Sequence, residues 1–136
     1  MPDRAARTVL AFDFGLKRIG VAVGEPELRT AHPLPAIAAA GDARFAAIEK
    51  LVQEWKPARL VVGRPLSTQG EAHLVTRQAE RFARRLQGRF RLPVAQVDER
   101  YTSVEAESRL RGTRNKRAVD SVAAQLMLEQ YFDELA

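Results

Sequence analysis

Two apolar runs open the chain. They are Val9-Leu10-Ala11-Phe12 and Ile19-Gly20-Val21-Ala22-Val23, separated by a short stretch that carries Asp13, Gly15, Lys17 and Arg18. Neither run alternates apolar with polar residues, the pattern of strands covered on both faces. They predict strands over 8–12 and 18–24, joined as a hairpin. A short third strand is expected over 34–38, and Pro33 and Pro35 confine it to an edge or a strand end. The period then changes. Phe45, Ile48, Leu51, Val52 and Trp55 recur at helical spacing and predict a helix over 43–56, capped by Asp42 and ended by Pro57.

The β-rich run 60–63 predicts a fourth strand, followed by a loop over 64–70. A helix over 71–87 comes next. Leu74, Val75, Ala79, Phe82, Ala83 and Leu86 form its inner face, with Arg77, Arg81, Arg84 and Arg85 outside the stripe. A fifth strand over 94–97 is entered through Pro93. Thr102-Ser103-Val104-Glu105 has the form of a capping box and opens a short helix to about Leu110. The basic, non-periodic stretch 112–117 reads as a mobile loop, and a last helix runs over 119–134. This order predicts an α/β fold. Its mixed five-stranded sheet has an antiparallel hairpin half and a parallel half, and right-handed crossovers place helices on both faces. The 136 residues suffice for one domain with a real core, expected over 1–136, and are too few for two of ordinary size.

Composition narrows the chemistry. The absence of cysteine excludes disulfides, thiolate metal sites and cysteine nucleophiles, and fits a reducing compartment. No apolar run approaches membrane-spanning length, and the first residues lack a signal-peptide core, so a cytoplasmic protein with no membrane partner is expected. The net charge of +5 is unevenly spread: residues 77–117 hold twelve Lys and Arg against five Asp and Glu. A basic segment on a near-neutral body points to a polyanionic partner such as nucleic acid, although a solvated arginine-rich helix face gives the same count.

Against this background Asp13 stands out. A carboxylate in an apolar strand loses hydration and needs a cation, a set of donors or a metal ion. Asp98 and Glu99 follow directly on the fifth strand, and Asp120 stands at the start of the last helix. In an open α/β sheet such positions converge at one edge. Three or four carboxylates meeting there repel one another unless a cation neutralises them, and hard oxygen ligands suit Mg²⁺ or Mn²⁺. Two such ions are a standard device for phosphodiester cleavage. Each residue has a plainer role open to it. Asp13 could pair with Lys17 or Arg18, Asp98 and Glu99 with Arg100, and Asp120 could serve the helix dipole. Strand alternation puts Asp98 and Glu99 on opposite faces, so only one of them is expected to point toward Asp13.

Four segments in order resemble the YqgF/RuvX family. They are Asp13-Phe14-Gly15-x-Lys17-Arg18-Ile19-Gly20-Val21-Ala22-Val23; Val62-Gly63-Arg64-Pro65-Leu66 with Gly70; Asp98-Glu99-Arg100 with Thr102, Ser103, Glu105 and Ala106; and Val119-Asp120-Ser121-x-Ala123-Ala124-Gln125 with Leu128. The resemblance implies a ribonuclease-H-like fold and a divalent-metal-dependent nuclease. Its substrate would be the 5′ end of pre-16S ribosomal RNA, a Holliday junction, or both. Carried over by position, Asp13, Glu99 and Asp120 would be the catalytic metal ligands, with Asp98 the less certain member of its pair. Tyr101, Ser103 and Ser67-Thr68-Gln69 depart from the usual family residues and touch no proposed ligand.

Lys17, Arg18, Arg64 and Arg100 adjoin the carboxylate positions and are expected to hold phosphates, which arginine can grip bidentately. Arg114, Lys116 and Arg117 would clamp the backbone beside Asp120. His32 and His73 pair with nothing at a useful spacing and are expected at the surface. Trp55, Phe45 and Phe82 fall on helix stripes and are expected in the core, while Tyr101 is a candidate for base stacking. Two other functions fit parts of the sequence. The Asp-x-Gly hairpin also opens actin-like and sugar-kinase ATPases, but those need two lobes. A non-catalytic nucleic-acid-binding factor on the same fold would bind without cleaving. A junction resolvase would be expected as a two-fold homodimer, since it cuts two strands symmetrically.

Overall fold

The computed structural model describes residues 7–15, 17–37, 41–64, 74–98 and 116–135, with side chains from 121 onward in the last segment. Five strands form one sheet: β1 (Val9–Asp13), β2 (Ile19–Glu25), β3 (Thr30–Ile37), β4 (Arg59–Arg64) and β5 (Val94–Asp98). Among the described residues three helices accompany them: α1 (Ala43–Trp55), α2 (Leu74–Phe90) and α3 (Lys116–Leu135). The strand order is β3-β2-β1-β4-β5. β1 pairs antiparallel with β2 and parallel with β4, and β4 pairs parallel with β5. The sheet is therefore mixed, and β1 is its central strand.

Alternation along the strands sorts the core into two layers. Leu10, Phe12, Ile19, Val21, Leu60 and Val62 pack with Phe45 and Ile48 of α1 and with Phe82 and Leu86 of α2. Val9, Ala11, Ala22 and Val61 pack on the other face with Ala124, Met127, Leu128 and Phe132 of α3. Every residue of β1 is buried, which is why its run shows no polar alternation. β3 is an edge strand, as its prolines require, and it is longer than expected because it starts at Thr30.

Three local expectations are corrected. Asp42 precedes α1 but makes no side-chain capping bond; its carbonyl accepts from the Phe45 and Ala46 amides instead. α1 closes through Lys56, whose left-handed φ of 46° lets its amide donate to the Val52 carbonyl. Leu74 is 69% exposed, and buried Thr76 takes a place on the inner stripe of α2. Finally, Lys116 and Arg117 belong to the first turn of α3 and not to the expected loop over 112–117. The capping box at 102–105 and its short helix lie outside the described residues. Among the described residues no helix is long and apolar enough to cross a membrane.

Candidate functional site at the carboxyl edge of the sheet

The carboxyl ends of β1, β4 and β5 lie at one edge. Asp13 is paired in register with Gly20 of β2 and Gly63 of β4, and Gly63 with Val97 of β5. All four positions share the α3 face, since Ala11, Ala22 and Val61, two residues away on their strands, pack there, as does Val97 itself. Asp13 is buried, with 9% exposure. The positions beside it on both neighbouring strands are glycines, so no side chain from either strand covers the carboxylate.

The turn after Asp13 depends on a third glycine. A Cβ at Gly15 would stand 2.5 Å from the Arg18 carbonyl oxygen, so only glycine lets the chain double back this closely. The return places exposed Lys17 and half-buried Arg18 at the same edge.

α3 runs antiparallel to β1. Near its start the Ser121 hydroxyl donates to the Leu34 carbonyl (2.6 Å), and Leu34 lies in register with Val21, itself opposite Phe12. Near its end Tyr131 accepts from Arg59 (2.6 Å), at the opposite end of the sheet. The amino-terminal turns of α3, which carry Lys116, Arg117 and Asp120, therefore lie toward the Asp13 edge; their side chains fall outside the described residues. Glu99, Arg100, Tyr101 and Arg114 also lie outside them, as does His73. His32 is exposed on β3, as expected.

Asp98 is placed apart from Asp13. It shares the α1–α2 face with Val94, which packs on that core layer. There Arg64 donates to its Oδ1 through Nη2 at 3.0 Å and Nε at 3.3 Å, and reaches Glu80 of α2 at 3.4 Å. The Asp98 bond is the main cause of an Arg64 pKa raised above its ordinary value, and Glu80 adds to it. Asp98 thus pairs with Arg64; Arg100, a partner open to it from the sequence, lies outside the described residues. Glu80 was not anticipated; as an acid three residues into the basic stretch, it was the available hint. Among the described residues no group of three or more His, Asp or Glu side chains is close enough to hold an ion. The fit of a divalent metal rests on Asp13 itself: a buried, hard oxygen donor with glycines in register on both neighbouring strands.

The family described as RuvX, Holliday junction resolvase, matches residues 7–134. The chain belongs to this RuvX family. It is 52% identical to a protein of Methylobacillus flagellatus over 100% of this chain and 99% of that one. It is 55% identical to one of Dechloromonas aromatica, over 93% and 90% of the two chains. Both relatives are named as proposed pre-16S rRNA nucleases. Among solved structures, RuvC of T. thermophilus in complex with a Holliday junction substrate matches with a TM-score of 0.59 at 16% identity, covering 94% of each chain. The yeast mitochondrial Holliday junction resolvase matches with the same TM-score at 11% identity, over 96% of this chain and 80% of that one. At these identities the structural matches speak for the fold, which is the ribonuclease-H-like architecture expected for the RuvX family.

Proposed function

We propose that this RuvX-family chain is a divalent-metal-dependent endonuclease that hydrolyses phosphodiester bonds in structured nucleic acid. Its substrate would be the 5′ end of pre-16S rRNA, branched DNA, or both. The observation that carries the reading is the buried Asp13 at the carboxyl edge of β1, flanked in register by Gly20 and Gly63 and lying toward the start of α3. Family names support the reaction class. A cytoplasmic location follows from that work.

Asp13, Glu99 and Asp120 would hold the ions, Mg²⁺ or Mn²⁺. Bound ions of this kind lower the pKa of water and stabilise the leaving oxygen. The chain's own residues do the rest. Asp13 supplies a rigid oxygen donor, because both neighbouring strands fix its backbone. The bare glycine row lets a sugar-phosphate backbone approach it closely. Lys17 and Arg18, on the hairpin turn, hold phosphates beside it, and Arg100, Arg114, Lys116 and Arg117 extend this grip. Arg64 offsets part of the negative charge of Asp98 and Glu80 at the same edge, which reduces their repulsion of the substrate. Asp98 then serves as a counter-charge and Glu99 as the ligand, in keeping with their alternation.

The test is cleavage by wild type and Asp13→Asn in parallel, with Mg²⁺, Mn²⁺ or a chelator. The substrates are an RNA bearing the pre-16S 5′ extension, a four-way DNA junction and plain duplex DNA. Cutting that vanishes with the substitution or the chelator is the expected result, and the preferred substrate chooses between rRNA maturation and junction resolution. Tight binding with no cutting of any substrate would instead leave a binding factor on a nuclease fold. Sedimentation with the junction bound would show whether a homodimer forms.

A further inference from the structure

The α1–α2 face carries a second concentration of charge, away from the acidic edge. Arg44 near the start of α1 and Arg81 and Arg85 of α2 surround a recess of about 240 Å³, bounded also by Phe14, Phe82 and Gln78. The guanidinium carbon of Arg44 lies 5.8 Å from the ring centre of Phe14, 5.1 Å from Phe45 and 5.3 Å from Phe82. Arg85 stands 5.0 Å over Phe45. Rings hold a guanidinium by its face and leave its N–H edge free for a ligand. Arg44 Nε and Gln78 Oε1 are buried with no hydrogen-bond partner among the described residues. Turned over, the Gln78 amide would offer donors to the recess.

The charges there are poorly balanced. Burial, and then the proximity of Arg85, push the Arg44 pKa below its ordinary value, with Asp42 opposing. Asp42 is a weak counter-charge: its carboxylate is 3.8 Å from Arg85 and its side chain is 82% exposed. Three guanidiniums around one recess repel one another, and a tetrahedral anion between them would relieve that repulsion while satisfying Arg44 Nε.

Building on the nuclease reading, we infer that this recess binds a backbone phosphate of the nucleic acid, as a second anchor on the face of the sheet opposite Asp13. The position suits it. Phe14 follows Asp13 directly, about 3.8 Å away along the chain, and its side chain packs on the opposite face. A strand or arm that passes over the carboxyl edge at Asp13 continues onto the recess.

The experiment measures binding in an Asp13→Asn background, where cleavage does not interfere. Fluorescence anisotropy of the pre-16S RNA and the four-way junction is recorded between about 50 and 200 mM salt. Arg81→Gln/Arg85→Gln should weaken binding on the order of tenfold and lower the slope of log affinity against log salt by about 1 to 2. Arg77→Gln/Arg84→Gln removes equal charge from exposed positions that do not border the recess, and should cost clearly less. Equal losses in the two pairs, or none in the first, overturn the inference. Arg44 Nε–H is followed by NMR with inorganic phosphate alone and with RNA. Saturation by phosphate that RNA cannot displace assigns the recess to a free anion and also overturns it. Wild-type cleavage separates the two readings. If wild type cuts nothing while the recess pair loses binding, the nuclease fails and the recess stands. If wild type cuts and the recess pair binds and cuts equally well, only the recess fails.

Discussion

The two faces of the sheet meet the same carboxyl edge with opposite chemistry. On the α3 face Asp13 stands in a row of Gly20, Gly63 and Val97, with no side chain from β2 or β4 beside it. On the α1–α2 face the neighbouring positions are filled: Arg64 bridges Asp98 and Glu80, and Arg44 lies against three phenylalanines. Two acidic residues at the ends of nearby strands are thus put to different uses. One is buried, with glycines in register on both neighbouring strands. The other is half in solvent and paired with arginine, an ordinary surface arrangement. The same residue type, at a strand end in each case, meets a different environment according to the face onto which alternation turns it.

The largest effect expected tests that contrast directly. Asp13→Asn should lower the cleavage rate on the order of a thousandfold or more, since it would remove the proposed metal ligand. Asp98→Asn should leave the rate within about threefold, less than 1 kcal/mol of barrier. Single-turnover cleavage of the preferred substrate gives both numbers. Comparable losses for the two would erase the distinction between the faces and return Asp98 to the ligand set.

A smaller effect is expected from filling the bare row. Gly63→Val places a branched side chain on the α3 face, about 5 Å from the Asp13 Cβ. Valine suits a strand, so the fold should persist. The rate should fall on the order of ten- to a hundredfold, through lost approach of the phosphate, with unfolding little changed. Circular dichroism melts run beside the kinetics would check this. A fully active Gly63→Val would mean that the open row has no role.

Gly24, further along the same face, gives a structural counterpart. A Cβ there would run into the Thr30 carbonyl oxygen and come within 2.9 Å of Phe132. Gly24→Ala should therefore destabilise by about 1–3 kcal/mol, read as a lowered urea midpoint at constant slope. Catalysis per folded molecule should not change. A glycine near the site and a glycine in the packing are then told apart by which quantity moves.

Much of this was legible in the residues. The absence of alternation in 9–12 and 19–23 identified covered strands, and Pro33 and Pro35 identified an edge. Asp13 was conspicuous because a carboxylate is rare in such a run. Other features depend on register, which a sequence does not print. That Gly20 and Gly63 flank Asp13 follows only once β1 is known to lie between β2 and β4. The pairing of Arg64 with Asp98 and Glu80 joins positions 34 and 16 residues apart, through a parallel crossover whose geometry spacing cannot supply. Arg44 was passed over because an arginine at a helix start reads as solvated; its cover comes from Phe14 and Phe82, distant in sequence. Asp42 misled in the other direction: a good capping residue by type, it leaves the cap to its own carbonyl.

The smallest effect expected concerns Arg64, on the filled face. Its contacts are charge-assisted but partly solvated: the Arg64, Glu80 and Asp98 side chains are 32%, 34% and 48% exposed. Arg64→Gln should therefore cost only about 0.2–1 kcal/mol of stability, less at high salt. Its consequence for cleavage should be larger than for folding, because two carboxylates at the substrate edge lose their counter-charge together. Repulsion of this kind raises KM for a polyanion and is screened by salt, whereas loss of a direct phosphate grip weakens binding further as salt rises. The activity of Arg64→Gln relative to wild type should thus recover between about 50 and 200 mM salt. Adding Glu80→Gln to Arg64→Gln should restore part of it, since that removes one of the exposed negative charges. A defect that is insensitive to salt and untouched by Glu80→Gln would place Arg64 on the substrate itself and make the filled face a participant in the chemistry.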